Sequence, residues 1–186
     1  MKDILKVASV LALVCVIAAV SLAAVNEVTQ KEILRRAQEE LKEALGAVFP
    51  SADTFQKIEV TLPEEPESKD FSILELYQAF SGDKEVGYVF KVESSGYGGP
   101  ILLLIGVSTV DNTITGIQVL EHQETPGLGS NVAEPEFLGQ FVGKSINDPF
   151  QLNQDVKAIT GATISSRAMV RACLGVIDYL KGGSSR

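Results

Sequence analysis

The chain has 186 residues, 45% of them hydrophobic, and a formal charge of −8. That is enough for one cored domain with an appendage. It also argues against a nucleic-acid partner, because a phosphate backbone is held by clustered Lys and Arg. Two cysteines, Cys15 and Cys173, with no Cys-x-x-Cys spacing, speak against a disulfide framework or a zinc site. The single histidine, His122, is too little for a transition-metal centre.

The first element is VASVLALVCVIAAVSLAAV, residues 7–25, which carries no charge. As a helix rising about 1.5 Å per residue it spans roughly 28 Å, close to the roughly 30 Å of a bilayer's hydrocarbon. Lys2 and Lys6 precede it and Glu27 follows. Positive charge on the N-terminal side predicts a single-pass anchor with the body outside the cytoplasm. Lys31, Arg35 and Arg36 soon after it pull the other way. A cleaved secretory signal is the rival reading, but its apolar core runs only about 7–15 residues. A lipoprotein signal at LALVC would need a small residue where Val14 stands.

Thr29-x-x-Glu32 resembles a capping box, and Ile33, Ala37, Leu41, Leu45 and Val48 then recur on one helical face before Pro50. FQKIEVTL (55–62) alternates like a strand, and PEEPESKD (63–70) reads as a loop. LYQAF, VGYVFKVES, ILLLIGVST and ITGIQVLEH are strand-like runs separated by SGD, SSGYGGP and DNT. Such short connections predict antiparallel neighbours. ILLLIGV is apolar at every position, as for a central strand covered on both sides. AEPEFLGQFVGKSI reads as a short helix and loop. Ala168, Ala172, Val176 and Leu180 predict a last helix ending at Gly182-Gly183. The expected fold is α+β, an antiparallel sheet flanked by helices, behind one transmembrane helix. The expected domains are an anchor at 1–28, a linker helix at 29–54 docking on the body, and the α+β domain at 55–186. GQFVGKS (139–145) imitates a phosphate-binding loop, but three residues separate its glycines where four are needed.

The last helix is preceded by ITGATISS, with hydroxyls at Thr160, Thr163, Ser165 and Ser166 around Gly161 and Ala162. Ser and Thr cap helix starts by satisfying free N–H groups. The same free N–H groups and the helix dipole attract phosphate. From the residues alone, capping and a phosphate site stand side by side.

T-G-A-T-I-S-S before an apolar helix resembles the flavinylation motif of the FMN-binding domain family found in Rnf and sodium-pumping quinone reductase complexes. GYGGPI (96–101) is similar to that family's glycine-rich turn. HQETPGLG (122–129) is similar to its loop approaching the flavin. The resemblance implies that Thr163 carries FMN through a phosphoester, made by a separate flavin transferase from FAD with magnesium. It implies a cofactor site of Thr163 with Thr160, Gly161, Ala162, Ser165, Ser166, Glu124, Thr125, Leu128, Gly129, Tyr97 and Gly98. Thr125 would offer a hydrogen bond and Leu128 an apolar face, while Glu124 fixes the loop or contacts the flavin. Tyr97 either stacks near the ring or covers the sheet. An acidic residue before the threonine helps present it, and Asp155 or Asp148 stands there.

The length is similar to that of the G subunit of the Rnf complex. The implied function is electron transfer within a redox-driven ion pump of the ferredoxin:NAD oxidoreductase type, not autonomous catalysis. Its partners would be the other subunits, the flavin transferase and membrane lipid. The place would be the cytoplasmic membrane, with the C-terminal domain on the extracytoplasmic side. The alternatives are the equivalent component of a sodium-translocating NADH:quinone reductase, a structural or interaction module without redox chemistry, and a free-standing flavin reductase. The last is disfavoured because no dinucleotide fingerprint is present.

Overall fold

The computed structural model describes residues 2–58 and 70–183, without the side chains of 2–10, 14, 24, 27, 28, 31 and 34. Residues 59–62 of the first expected strand and 63–69 of the expected loop lie outside the described residues. The chain divides into two units, Met1–Glu43 and Ala44–Arg186.

Helix α1 runs Lys2–Val48. It passes through Thr29 without a break, so Thr29 and Glu32 do not begin an element. Glu32 instead accepts hydrogen bonds from Arg35 and Arg36 along the helix surface. This is i,i+3 and i,i+4 pairing, which a capping box imitates in sequence. In the first unit Leu11, Leu13, Val16, Ile17, Val20, Leu22 and Val25 are all exposed. The expected anchor, 7–25, falls partly on side chains outside the described residues. Among the described residues, no helix is long and apolar enough to cross a membrane.

In the second unit five antiparallel strands follow one another in sheet order: β1 Thr54–Ile58, β2 Phe71–Ser81, β3 Lys84–Ser95, β4 Pro100–Ser108 and β5 Thr113–His122. β2 begins five residues before the expected LYQAF. A register shift between Ile73 and Glu75 breaks the alternation there, which hides the strand's first part from a period-two reading.

Strand β4 is buried along almost its whole length, as its unbroken apolar run predicts. On one face Phe90, Val92, Ile101, Leu103, Ile105 and Val107 join Ala168, Met169, Cys173, Val176 and Ile177 of helix α3, Thr163–Gly183, in the core. Burial pushes the Cys173 thiol pKa up, so it is an inert packing group. On the other face the end of α1 lies against a line of glycines. Val48 and Phe49 press so close to Gly87, Gly106 and Gly116 that a Cβ at any of the three would collide with them. Thr115 Oγ1 donates to the Val48 carbonyl at 2.8 Å, satisfying one acceptor that the helix end leaves free.

After β5 come a 3-10 turn, Gly129–Ala133, and a one-turn helix, α2, Pro135–Leu138. GQFVGKS then turns back along β5. Gly143 N–H donates to Ile114 O at 2.8 Å and Ile146 N–H to Asn112 O at 2.9 Å. These N–H groups serve the sheet edge, and Phe141 is fully buried.

Candidate functional site

Three segments meet at one end of the sheet: the β3–β4 turn, the loop leaving β5, and the start of α3. Between them lies a cleft of about 390 Å³. Tyr97 comes from the first segment, Glu124, Thr125, Leu128 and Gly129 from the second, and Gly161, Ala162, Thr163, Ile164 and Ser165 from the third. Its volume is within the roughly 300–1,000 Å³ usual for small-molecule sites.

The third segment is shaped by a tight turn. Ala162 N–H donates to Ile159 O at 3.0 Å, and Gly161 has φ +80. That left-handed conformation at the third turn position costs glycine nothing and strains other residues. Leu128 lies over Gly161, whose absent side chain leaves it room.

The four hydroxyls divide by role. Ser166 is fully buried; its Oγ accepts from Ile159 N–H at 3.0 Å and donates to Ala162 O at 2.9 Å. It braces the turn and takes no part in the cleft. Ser165 is buried too, and its Oγ donates to Glu124 Oε2 at 2.8 Å. Thr160 is exposed and lines a different depression, beside Lys157 and Gln140. Thr163 is exposed, is the first residue of α3 and lines the cleft. The first bond into the helix is Ser166 N–H to Ala162 O at 2.9 Å. The preceding N–H groups, of Thr163, Ile164 and Ser165, are those a helix start leaves without an intrahelical acceptor. An anion at the Thr163 hydroxyl would meet them and the positive end of the helix dipole.

The apolar surface of the cleft is open to water. Tyr97 is 71% exposed, while Leu128 and Ile164 are each 47% exposed. A flat aromatic ring laid between them would remove that surface from water. Ile164 is the one lining residue absent from the sequence expectation. The sequence concealed it: Ile164 stands four residues before Ala168, in step with Ala172 and Val176, and so reads as one more core position. The loop over the cleft is held by its own backbone. Leu128 N–H and Ser130 N–H both donate to Thr125 O, and Gly127 N–H donates to Ser130 Oγ at 2.9 Å.

Glu124 is 5% exposed. Its Oε1 accepts from the N–H groups of Tyr97 at 2.8 Å and Gly98 at 3.3 Å. Gly98 thus approaches the site through its amide and does not line the cleft. His122 Nδ1 accepts from Glu124 N–H at 3.3 Å.

Asp155 is committed to its own loop. It accepts from Gln151 N–H at 2.6 Å and Phe150 N–H at 3.1 Å, and pairs with Lys144 Nζ at 3.1 Å. Partial burial pulls its pKa up, but the Gln151 N–H and the Lys144 ammonium outweigh this and hold it below the ordinary aspartate value. Asp148 is similarly engaged, accepting from Ser145 N–H at 3.0 Å. Both carboxylates close turns, a bond pattern that their distance from Thr163 in sequence does not reveal.

Residues 96–177, which contain the whole cleft, match a family model described as the FMN-binding domain, and residues 1–48 match one described as the RnfG N-terminal region. The G subunit of an ion-translocating oxidoreductase complex from Methanosarcina acetivorans is 38% identical over 96% of this chain and 95% of its own. The G subunit of a proton-translocating ferredoxin:NAD(+) oxidoreductase complex from Clostridium ljungdahlii is 32% identical over 91% of this chain and 88% of its own. Its counterpart in the Na(+)-translocating ferredoxin:NAD(+) oxidoreductase complex of Acetobacterium woodii is 32% identical over 90% and 87%. Among solved structures, the C subunit of the Na(+)-translocating NADH-quinone reductase from Parabacteroides distasonis aligns with 26% identity and a TM-score of 0.49, covering 60% of this chain and 63% of that one. With 38% identity over nearly the whole length of such a relative, the chain belongs to the family of G subunits of ion-translocating oxidoreductase complexes.

Proposed function

We propose that this protein is the FMN-carrying electron-transfer subunit of a membrane redox-driven ion pump of the ferredoxin:NAD oxidoreductase type, with the FMN phosphate esterified to Thr163 Oγ. The observation that carries the assignment is the division of the hydroxyls. Ser165 and Ser166 are buried and spent on internal bonds, Thr160 lines another depression, and Thr163 alone of the four is an exposed hydroxyl lining the cleft. Free N–H groups of the first turn suit the phosphate, and Tyr97, Leu128 and Ile164 suit the faces of an isoalloxazine. FMN supplies one- and two-electron chemistry; the protein supplies its place and surroundings. An open cleft buries little of a ligand, so a covalent tether is what keeps the cofactor there.

A flavin transferase would form the bond. The Thr163 hydroxyl loses its proton, its oxygen joins the FMN phosphorus of FAD, and AMP departs. The other subunits of the complex and membrane lipid are the remaining partners. The anchor within 1–28 fits the exposed apolar side chains spread round the first unit of α1. A helix apolar on all sides needs either a protein core or a bilayer around it. Lys2 and Lys6 support an N-terminus inside the cytoplasm, with the FMN domain, within 55–186, on the extracytoplasmic face.

Co-production with a flavin transferase and measurement of intact and peptide mass tests the assignment. The natural chain gains one FMN on the peptide containing Thr163. Thr163→Val gains none and keeps the folded chain's circular dichroism. Flavin on another residue, or a Thr163→Val chain that still gains the mass, overturns it.

A further inference from the structure

The walls of the cleft come from three distant parts of the chain, and one buried side chain touches all three. Glu124 sits in the β5 exit loop. Its Oε1 binds the Tyr97 and Gly98 amides of the β3–β4 turn, and its Oε2 binds Ser165 in the first turn of α3. The neighbouring backbone is cleared for this carboxylate. A methyl group at Gly96 would run into Oε1, and one at Gly129 into Oε2, with Ser165 Oγ only 2.9 Å from it. Two of the motif glycines thus make room for one side chain as well as for the turns they sit in.

We propose that Glu124 is a positioning residue: its buried carboxylate ties the Tyr97 turn and the start of α3 to the β5 loop, so that a ligand held at Thr163 meets a preformed seat. This deepens the FMN assignment and rests on it only for what the seat receives. The tie fixes the positions of Tyr97, Leu128 and Thr163, while Glu124, 5% exposed, gives the cleft little surface of its own. A seat already assembled saves the ligand the cost of ordering it. Glutamine at 124 keeps the tie, because its oxygen accepts from the two amides and its NH₂ donates to Ser165 Oγ. Alanine removes it and leaves the two amides and the buried Ser165 hydroxyl without this acceptor.

The experiment compares Glu124→Ala with Glu124→Gln in the full chain. Amide exchange is read on flavin-free protein, and visible circular dichroism of the flavin on protein loaded by the transferase. In Glu124→Ala the Tyr97 and Gly98 amides exchange about tenfold faster or more. The flavin band loses most of its induced dichroism, because the ring is no longer held in one orientation. Glu124→Gln restores both readings to near the natural ones, a rescue that side-chain volume alone does not produce in alanine. Unchanged exchange at the two amides in Glu124→Ala overturns the proposal, and so does a glutamine variant as loose as alanine. If Glu124→Ala does not fold, Ser165→Ala removes only the α3 tie. Weaker flavin dichroism there supports the proposal, and a natural value sinks it. A natural chain that never acquires flavin refutes the Thr163 assignment, while the exchange arm still decides the role of Glu124.

Discussion

Ser165 and Ser166 sit beside Thr163 in sequence and differ from it completely in circumstance. Successive side chains on a helix are turned by about 100°, so two or three positions separate an exposed face from a buried one. The rotation of α3 on the sheet therefore decides which hydroxyl reaches the cleft. Asp155 makes a related point about charge. Its position suggested a role toward Thr163, but its oxygens are taken by Phe150, Gln151 and Lys144. Its folded pKa is depressed, so the stability it contributes is present above the ordinary aspartate value of about 3.9 and is lost as pH falls through the lower folded value. Asp155→Asn should lower the melting temperature at neutral pH by the loss of about 1–2 kcal/mol. The gap between variant and natural chain should begin to narrow below about pH 4 and go on shrinking as the pH falls toward the lower folded value. A gap that stays constant as the chain is acidified until it unfolds would mean that these bonds do not depend on the charge.

Among the elements, the sheet was the easiest to read and the packing on its second face the hardest. Alternation and turn residues reveal β3, β4 and β5 because both signals are local. The Val48–Phe49 turn of α1 and the glycine line of Gly87, Gly106 and Gly116 lie far apart in the chain, and nothing in either predicts the other. Helix and sheet backbones approach closely there because no side chain stands between them. A methyl group at Gly116 would press on Val48 O, now 2.5 Å from the ideal Cβ position. Gly116→Ala should therefore destabilise the domain by about 1–3 kcal/mol. The denaturation midpoint should fall while the cleft, at the end of the sheet, still takes the FMN proposed for it. An unaltered midpoint would show that the end of α1 is free to move aside.

For the molecule as a whole, the proposed anchor and FMN domain predict different behaviour for the two units. The sheet, α3 and the last turn of α1 belong to Ala44–Arg186. A chain beginning at residue 32 should fold, unfold cooperatively and stay in the soluble fraction after cell breakage. The full chain should sediment with membranes and resist extraction by high salt, as a helix in hydrocarbon does and an electrostatic association does not. A chain beginning at residue 50 lacks Leu45, Val48 and Phe49, exposes the glycine-lined face and should melt well below the longer one. Equal melting of the two, or release of the full chain by salt, would count against this division.

Locally written features were open to reading from the chain alone: the charge-free N-terminal run, the strand meander, the apolar central strand, the last helix, and the Thr-Gly-Ala-Thr turn with its resemblance to a flavinylation motif. Periodicity, turn chemistry and short motifs act over a few residues, so one dimension contains them. Which hydroxyl stands free, that Asp155 serves its own loop, that Ile164 completes the cleft, and that Glu124 joins three segments became visible only in the fold. Each of those depends on which distant groups approach, and in a close-packed interior that is settled by the joint fit of sheet, helix and loops.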